Sequence, residues 1–267
     1  MLFPLYDLNP HRRFPVMTVL IIAINIAITA WLGAQRDTSA IYRYGFIPAR
    51  VTKLSTGQPV AVRTSKFDHW GNEHPGPMLE LPSRPADVYL TFVTTMFMHG
   101  GWMHVLMNMW MLWIFGNNVE DRLGRFMFVC YYLLGGMVGT VCQWAIDPMS
   151  TIPVIGASGA VATVLGGYAI TYPKALVKTL VFFGLILILD LPALLVLGIW
   201  FVVQTLQGLS ILPSMGPPVA FWAHIGGFLA GIALMPIMGL GAAPPGTNWH
   251  QETDELFRFD DPRTRVE

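Results

Sequence analysis

Apolar residues are concentrated in six runs along the chain, and shorter polar or Pro- and Gly-rich stretches separate these runs. A helix needs about 20 apolar residues to cross the hydrocarbon layer of a bilayer, and about 17 can suffice. The six runs predict helices over residues 16–33, 100–116, 126–146, 158–172, 192–207 and 220–238. The pattern therefore predicts an all-α membrane protein, built as a bundle of six transmembrane helices.

The fourth run is short for a full crossing, because Pro173 ends it soon after its first residue, Ser158. A helix that cannot reach both membrane surfaces must begin below one of them, so the preceding loop must dip into the bilayer. Irregular backbone survives at that depth only where protein or water satisfies its polar groups. We therefore expect a water-accessible cavity over Ser158.

Basic residues in the short connections predict the orientation. They are Arg12, Arg13, Arg122, Arg125, Lys174 and Lys178, whereas loops 147–157 and 208–219 contain no Lys or Arg. All the basic connections fall on one side of a six-helix bundle, and such residues favour the cytoplasm. We expect both termini in the cytoplasm of a bacterial cell and Ser158 opening to the outer side of its plasma membrane.

The sequence divides into a transmembrane domain, residues 16–238, and two flanking segments. Residues 1–15 are predicted to be an N-terminal cytoplasmic segment, and residues 239–267 a flexible cytoplasmic tail. Within the domain, residues 34–91 form a long first outer loop, rich in Pro, Gly and charge, that could hold a soluble binding module. The apolar stretch 179–189 is expected to lie in the membrane interface or to re-enter.

Composition agrees with a membrane protein and excludes several other functions. The 267 residues are 54% hydrophobic and 12% charged, whereas a soluble domain is about 25% charged. The formal net charge is zero, so no bulk field attracts nucleic acid. No metal-ligand spacing occurs, so we expect no metal site, and Cys130 and Cys142 are interpreted as inert core thiols.

Ser158 lies in Gly156-Ala-Ser-Gly159 at the predicted start of the fourth helix. The two glycines would let a substrate backbone approach, and the free N–H groups of a helix N-terminus could stabilise an oxyanion. Alone, this motif favours a serine cap in a small-residue packing motif. A serine nucleophile also needs an adjacent base.

His224 is the candidate base, in the apolar stretch Ala223-His-Ile-Gly-Gly227. An ionisable group inside a membrane is costly to hold, which points to function as strongly as to a structural hydrogen bond. Small residues would let the fourth and sixth helices approach closely, and they are Gly159, Thr163 and Gly167 facing Ala223, Gly227 and Gly231. Residues 148–173 and 191–251 contain no Asp or Glu, which favours a Ser–His dyad over a triad.

His104 and Asn108 are four residues apart near the start of the second run and share a helical face. Imidazole and amide N–H groups are suitable donors to a developing oxyanion. The alternative is a polar seam that holds helices together, which the cluster of polar residues at the start of an apolar helix makes less attractive. Nearby His99 is predicted to bond a loop.

Taken in their order along the chain, these motifs resemble those of the rhomboid intramembrane serine proteases. The resemblance covers about residues 90–235 and the first run, and it rests on His99, His104, Asn108, Glu120-Asp-Arg-Leu-Gly124, Gly156-Ala-Ser-Gly159 and Ala223-His-Ile-Gly-Gly227. It implies a rhomboid-like bundle with a short fourth helix and a long first outer loop.

The same resemblance implies the roles of the site residues. Ser158 would be the nucleophile and His224 the general base. His104, Asn108 and the backbone amide of Ser158 would line an oxyanion hole. Glu120 would bond, as a structural residue, in the loop region between the second and third helices.

The activity implied by the resemblance is that of an intramembrane serine endopeptidase without a cofactor, which cleaves single-span membrane proteins near the outer ends of their helices. Two departures matter. Leu90 and Thr91 stand where many relatives have Trp-Arg, so the first outer loop would be anchored differently. Ala162 stands where some relatives stack an aromatic ring on the histidine, so His224 would be held less firmly.

Two other functions compete with proteolysis. A non-catalytic relative that binds membrane clients would need the bundle but not the dyad, and the presence of both Ser158 and His224 argues against it. A small transporter would show repeat symmetry and charges at mid-membrane. No repeat relates the two halves of this sequence, and its apolar runs carry almost no charge.

Overall fold

The computed structural model describes residues 2–35, 37–68, 72–182, 184–213 and 219–240. The helices in these residues are α1 (Val16–Ala34), α2 (Ser39–Tyr44), α3 (Pro48–Thr52), α4 (Pro85–Thr94), α5 (Trp102–Leu123), α6 (Arg125–Ile146), α7 (Ser158–Thr171), α8 (Ala193–Gly208) and α9 (Phe221–Met238). The strands are β1 (Leu2–Asp7), β2 (Val60–Phe67), β3 (Glu73–Leu81), β4 (Leu176–Phe182) and β5 (Ile186–Pro192). The predicted tail, residues 239–267, lies outside the described residues apart from Gly239 and Leu240.

Each of the six apolar runs contains one long helix, and these helices are α1 and α5 to α9. Three of the described helices, α1, α6 and α9, are long and apolar enough to cross a membrane by themselves. Helices α7 and α8 are apolar but shorter. The fold is therefore mostly helical, as the sequence predicts, with three candidate membrane spans among the described residues.

Helix α5 continues to Leu123, well beyond the predicted end at residue 116. The apolar run ends there because Asn117, Asn118 and Glu120 are polar. These side chains are instead buried. The side-chain amide of Asn118 donates to the Asp7 carboxylate at 2.7 Å and to the Asn9 carbonyl at 3.2 Å. Contacts with the N-terminal segment thus satisfy polar groups that a local pattern assigns to solvent.

The prediction of an all-α protein is wrong, because two small antiparallel sheets accompany the helices. Strands β1, β4 and β5 form one sheet in the order β1-β4-β5. Alternate residues of β4, namely Val177, Thr179 and Val181, are buried, which is the period-two pattern of a strand with one covered face. The stretch 179–189 therefore forms a hairpin, and the N-terminal segment contributes its third strand.

The second sheet gives structure to the connection between α1 and α5. Strands β2 and β3 pair as a hairpin, and buried apolar side chains from the hairpin and from the segment around α3 form a small core of their own, made of Ile47, Ala49, Val60, Val62 and Leu81. This unit, which we call the hairpin unit, lies at the end of the bundle where α7 begins. Phe46 pairs there with Val154, and the Thr52 hydroxyl donates to the Pro148 carbonyl at 2.6 Å.

Helix α7 occupies the centre of the bundle, and eleven of its fourteen residues are buried. Its backbone lies directly against α9, because a side chain on Gly227 would collide with the Gly159 carbonyl, and one on Gly231 with that of Thr163. The Tyr131 hydroxyl of α6 is 2.9 Å from the carbonyls of both Thr163 and Gly231. The small-residue faces therefore dock as predicted.

Glu120 connects the end of α5 to the beginning of α1. Its carboxylate accepts hydrogen bonds from the backbone N–H groups of Met17 at 3.0 Å and Thr18 at 2.8 Å, and from the Thr18 hydroxyl at 2.8 Å. A carboxylate suits this place, because the first N–H groups of a helix lack intrahelical partners. The sequence predicted that Glu120 would bond in the loop region after α5. Its side chain bonds to α1 instead.

Candidate active site

Ser158 and His224 meet where α7 and α9 begin. The Ser158 Oγ lies 2.7 Å from the His224 Nε2. Both residues are half-buried, so the pair is neither in open solvent nor sealed in packing. A hydroxyl at this distance can donate its proton to an unprotonated imidazole nitrogen, which is the geometry of a serine and its base.

The turn before Ser158 is fixed by the segment that precedes α5. The Gly156 N–H donates to the Thr95 carbonyl at 3.0 Å, and the Thr95 hydroxyl donates to the Val154 carbonyl. The Ala157 N–H donates to the His99 Nε2 at 3.2 Å, and His99 is only 2% exposed. His99 therefore bonds to a loop, as the sequence predicts.

Gly156 brings the backbone unusually close to His104. Its φ of +123° is a conformation that side chains rarely adopt. A methyl group on its α-carbon would lie 2.8 Å from the Nε2 of His104 and 3.7 Å from the Ser158 Oγ. The His104 ring thus faces the turn that carries Ser158.

Asn108 lies one turn beyond His104 on α5 and is 7% exposed. Its amide nitrogen donates to the His104 carbonyl at 2.9 Å. Because an amide group has two N–H donors, this bond leaves a second one for another acceptor. The first N–H groups of α7 lack intrahelical partners, as at any helix N-terminus. The residue that caps α7, Ala157, contributes no side-chain bond to them.

Two contacts of His224 involve α8, and neither was predicted from the sequence. The Nδ1 of His224 is 2.5 Å from the Oε1 of Gln204. The Trp200 ring lies 6.1 Å from the imidazole between centroids, at an interplanar angle of 31°. A signal was present, since Gln204 is the first polar side chain along the apolar helix α8 and follows Trp200 by one turn.

A second polar cluster lies at the opposite end of α7. The Asp7 carboxylate accepts hydrogen bonds from the Tyr168 hydroxyl at 2.8 Å and from the Asn118 amide at 2.7 Å. Burial raises the pKa of Asp7 from 3.8 to about 7, and the bond from Tyr168 partly opposes this rise.

Among the residues that the structure describes, no three His, Cys, Asp or Glu side chains are grouped as metal ligands.

Comparison with known proteins identifies the family. Residues 86–240 match the family model of the rhomboid domain, and this match covers more than half of the chain. The chain belongs to the rhomboid family. It is thus a multi-pass membrane protein, in agreement with its apolar helices.

Several curated rhomboid proteins are similar to this chain. Rhomboid-related protein 2 of Mus musculus is 26% identical over 158 residues, which are 59% of this chain and 50% of the relative. Rhomboid-like protease 3 of Toxoplasma gondii is 29% identical over 143 residues, 54% of this chain and 49% of the relative. Presenilin-associated rhomboid-like protein A, mitochondrial, of Danio rerio is 33% identical over 88 residues, 32% of this chain and 23% of the relative. The chain thus spans half or less of the length of these relatives.

The two departures from the rhomboid pattern can now be placed. Thr91 is buried in α4, where its hydroxyl donates to the Val88 carbonyl at 2.6 Å, and Leu90 is exposed. Ala162 is completely buried in α7, so no aromatic ring reaches His224 from that position. Trp200 of α8 lies beside the imidazole instead.

Proposed function

We propose that this rhomboid is an intramembrane serine endopeptidase in which Ser158 is the nucleophile and His224 is the general base. The observation that carries the proposal is the 2.7 Å distance between the Ser158 Oγ and the His224 Nε2. The two residues are 66 positions apart on different helices, and the small-residue contact between α7 and α9 brings them together. The name of the Toxoplasma gondii relative, a rhomboid-like protease, agrees with this activity.

The reaction follows from these groups. As the Ser158 Oγ attacks the carbonyl carbon of a peptide bond, its proton passes to the His224 Nε2. The imidazolium then protonates the leaving amine, the C–N bond breaks, and an acyl-enzyme remains. His224 next takes a proton from water as the water oxygen attacks the ester. It returns that proton to the Ser158 Oγ when the carboxylic acid product leaves.

The negative oxygen of each tetrahedral intermediate needs hydrogen-bond donors. The Ser158 N–H at the start of α7, the His104 imidazole and the second N–H of Asn108 are the proposed set. Such donors, fixed before the reaction, act on charge that develops in the transition state. The turn at Gly156 supports this assignment, because it brings the His104 ring next to Ser158.

The proposed substrates are single-span membrane proteins. A carbonyl can reach Ser158 only if the substrate backbone leaves its helix, so segments weakened by Gly or Pro should be preferred. We further propose that the six long helices cross the plasma membrane of a bacterial cell, with both termini in the cytoplasm. The short connections with Lys and Arg support this orientation, which opens the site to the outer side.

The decisive experiment compares the wild-type protein and Ser158→Ala in liposomes that contain a tagged single-span substrate. Ser158→Ala should abolish cleavage and labelling by a fluorophosphonate, with an unchanged thermal unfolding midpoint. Ser150→Ala is the matched control, because the Ser150 hydroxyl lies in the same connection and accepts a hydrogen bond from the Ile152 N–H at 3.4 Å, away from His224. Unchanged cleavage by Ser158→Ala would exclude the assignment. A wild-type protein that neither cleaves nor becomes labelled would favour client binding without catalysis.

A further inference from the structure

We propose that Gln204 is a positioning residue that holds His224 in the tautomer and the orientation required of a general base. The inference rests on the proposed function of Ser158 and His224. It starts from the 2.5 Å contact between the Gln204 Oε1 and the His224 Nδ1. An amide oxygen can only accept a hydrogen bond, so Nδ1 carries the proton and donates it.

The tautomer decides whether His224 can act on Ser158. A neutral imidazole has one N–H and one free lone pair. With the proton on Nδ1, the lone pair belongs to Nε2, which is 2.7 Å from the Ser158 Oγ. With the proton on Nε2, this nitrogen could not accept the serine proton. Gln204 therefore selects the productive form.

No carboxylate is available for this task nearby in the sequence. Residues 148–173 and 191–251, which include α7, α8 and α9, contain no Asp or Glu. In serine proteases with a triad, an acidic residue orients the histidine and stabilises the imidazolium. A neutral amide oxygen supplies the same orientation with weaker electrostatic stabilisation.

Helix α8 holds the imidazole in two ways. Gln204 bonds its Nδ1, and Trp200, one turn earlier on the same helical face, lies 6.1 Å from its ring. The buried residues of α8 are Ala193, Val196 and Leu197, all in its first half. Gln204 lies in the less buried half and is not among the residues of the apolar core. Its contact with His224 accounts for a polar side chain at this position.

The test uses three variants of the full-length protein in liposomes with a single-span substrate. Gln204→Met keeps the length of the side chain and removes the amide acceptor. Gln204→Glu keeps an acceptor and cannot donate when ionised. Gln207→Met is the control, since the Gln207 amide lies on the same helix and donates to the Pro213 carbonyl at 3.4 Å instead of contacting His224.

Gln204→Met should lower kcat by about 10²-fold, as expected for a misplaced catalytic group, while KM stays nearly constant. The rate of fluorophosphonate labelling should fall in parallel, because it depends on activation of Ser158 and not on substrate binding. Gln204→Glu should retain most of the wild-type kcat. It should also move the acid limb of the rate–pH profile to higher pH, because a carboxylate stabilises the imidazolium. Gln207→Met should behave as the wild type.

An unchanged kcat in Gln204→Met, with wild-type cleavage intact, would overturn the positioning role and leave the protease assignment standing. Equal losses in Gln204→Met and Gln204→Glu would also overturn it, since they would show that the acceptor is irrelevant. If Gln204→Met does not fold, Gln204→Asn decides the question, because it withdraws the same amide from Nδ1 without adding an apolar group. Absence of cleavage and labelling in the wild type would instead overturn the proposed function itself.

Discussion

The α-carbon of Gly156 lies so close to the His104 ring that a methyl group on it would be 2.8 Å from two ring atoms. Gly156 also has a φ of +123°. Two independent constraints therefore require glycine in the turn that leads into Ser158. They also connect the position of the proposed nucleophile to that of a proposed oxyanion donor.

Gly156→Ala should therefore abolish most of the activity. The added methyl group must displace either the His104 ring or the turn, and a misplacement of about 1 Å can lower a rate by about 10²-fold. Cleavage in liposomes and fluorophosphonate labelling would measure the loss. Gly100→Ala is a suitable control, because its methyl group would meet only an ordinary contact at 3.6 Å from Ile155. Full activity in Gly156→Ala would contradict the described turn.

Asn108→Ala should act on kcat rather than on KM. The side chain is proposed to donate to charge that forms only in the transition state, and loss of one such donor lowers kcat by about 10²- to 10³-fold. Steady-state kinetics in liposomes would separate the two constants. A raised KM with an unchanged kcat would indicate that Asn108 helps to bind the substrate instead.

Tyr131→Phe should destabilise the bundle without a specific effect on the chemistry. Its hydroxyl joins α6 to the carbonyls of Thr163 on α7 and Gly231 on α9, both at 2.9 Å. Loss of this buried bond should cost about 1–3 kcal/mol and lower the thermal unfolding midpoint in detergent. Tyr89→Phe, at an exposed position of α4, should leave the midpoint nearly unchanged. Equal midpoints for the two variants would contradict the role of Tyr131.

The buried carboxyl of Asp7 should make stability depend on pH. Burial raises the pKa of Asp7 from 3.8 to about 7, so the folded protein holds this proton more tightly than the unfolded chain. The resulting stabilisation is fully present below about pH 4 and is lost as the pH rises through about 7. The thermal unfolding midpoint of the wild type should therefore decrease as the pH is raised from about 5 to about 8. The midpoint of Asp7→Asn should decrease less over the same range. Parallel curves for the two proteins would refute the assignment.

The apolar runs were sufficient to place α1 and α5 to α9, because each of these helices coincides with one run of apolar residues. They could not predict where α5 ends, since Asn117, Asn118 and Glu120 find their partners in the distant N-terminal segment or in α1. The strands were missed for a related reason. The alternating pattern of β4 is short, and one of its two partner strands, β1, is far away in sequence.

The pairing of Ser158 with His224 could be predicted because small residues mark both faces of the contact between α7 and α9. The contribution of α8 could not. No motif connects Gln204 to His224, and a single amide in an apolar helix has many alternative roles. Only the position of α8 beside α9 shows that Gln204 reaches the histidine.

The stretch that matches the rhomboid domain, residues 86–240, is bonded to residues that precede it. A truncated version with only these residues would leave the Glu120 carboxylate buried without the N–H groups of Met17 and Thr18. It would also lose Phe46, whose backbone is bonded to Val154 in the loop before Ser158. A shortened version for expression should therefore keep the hairpin unit and α1 together with the matched residues.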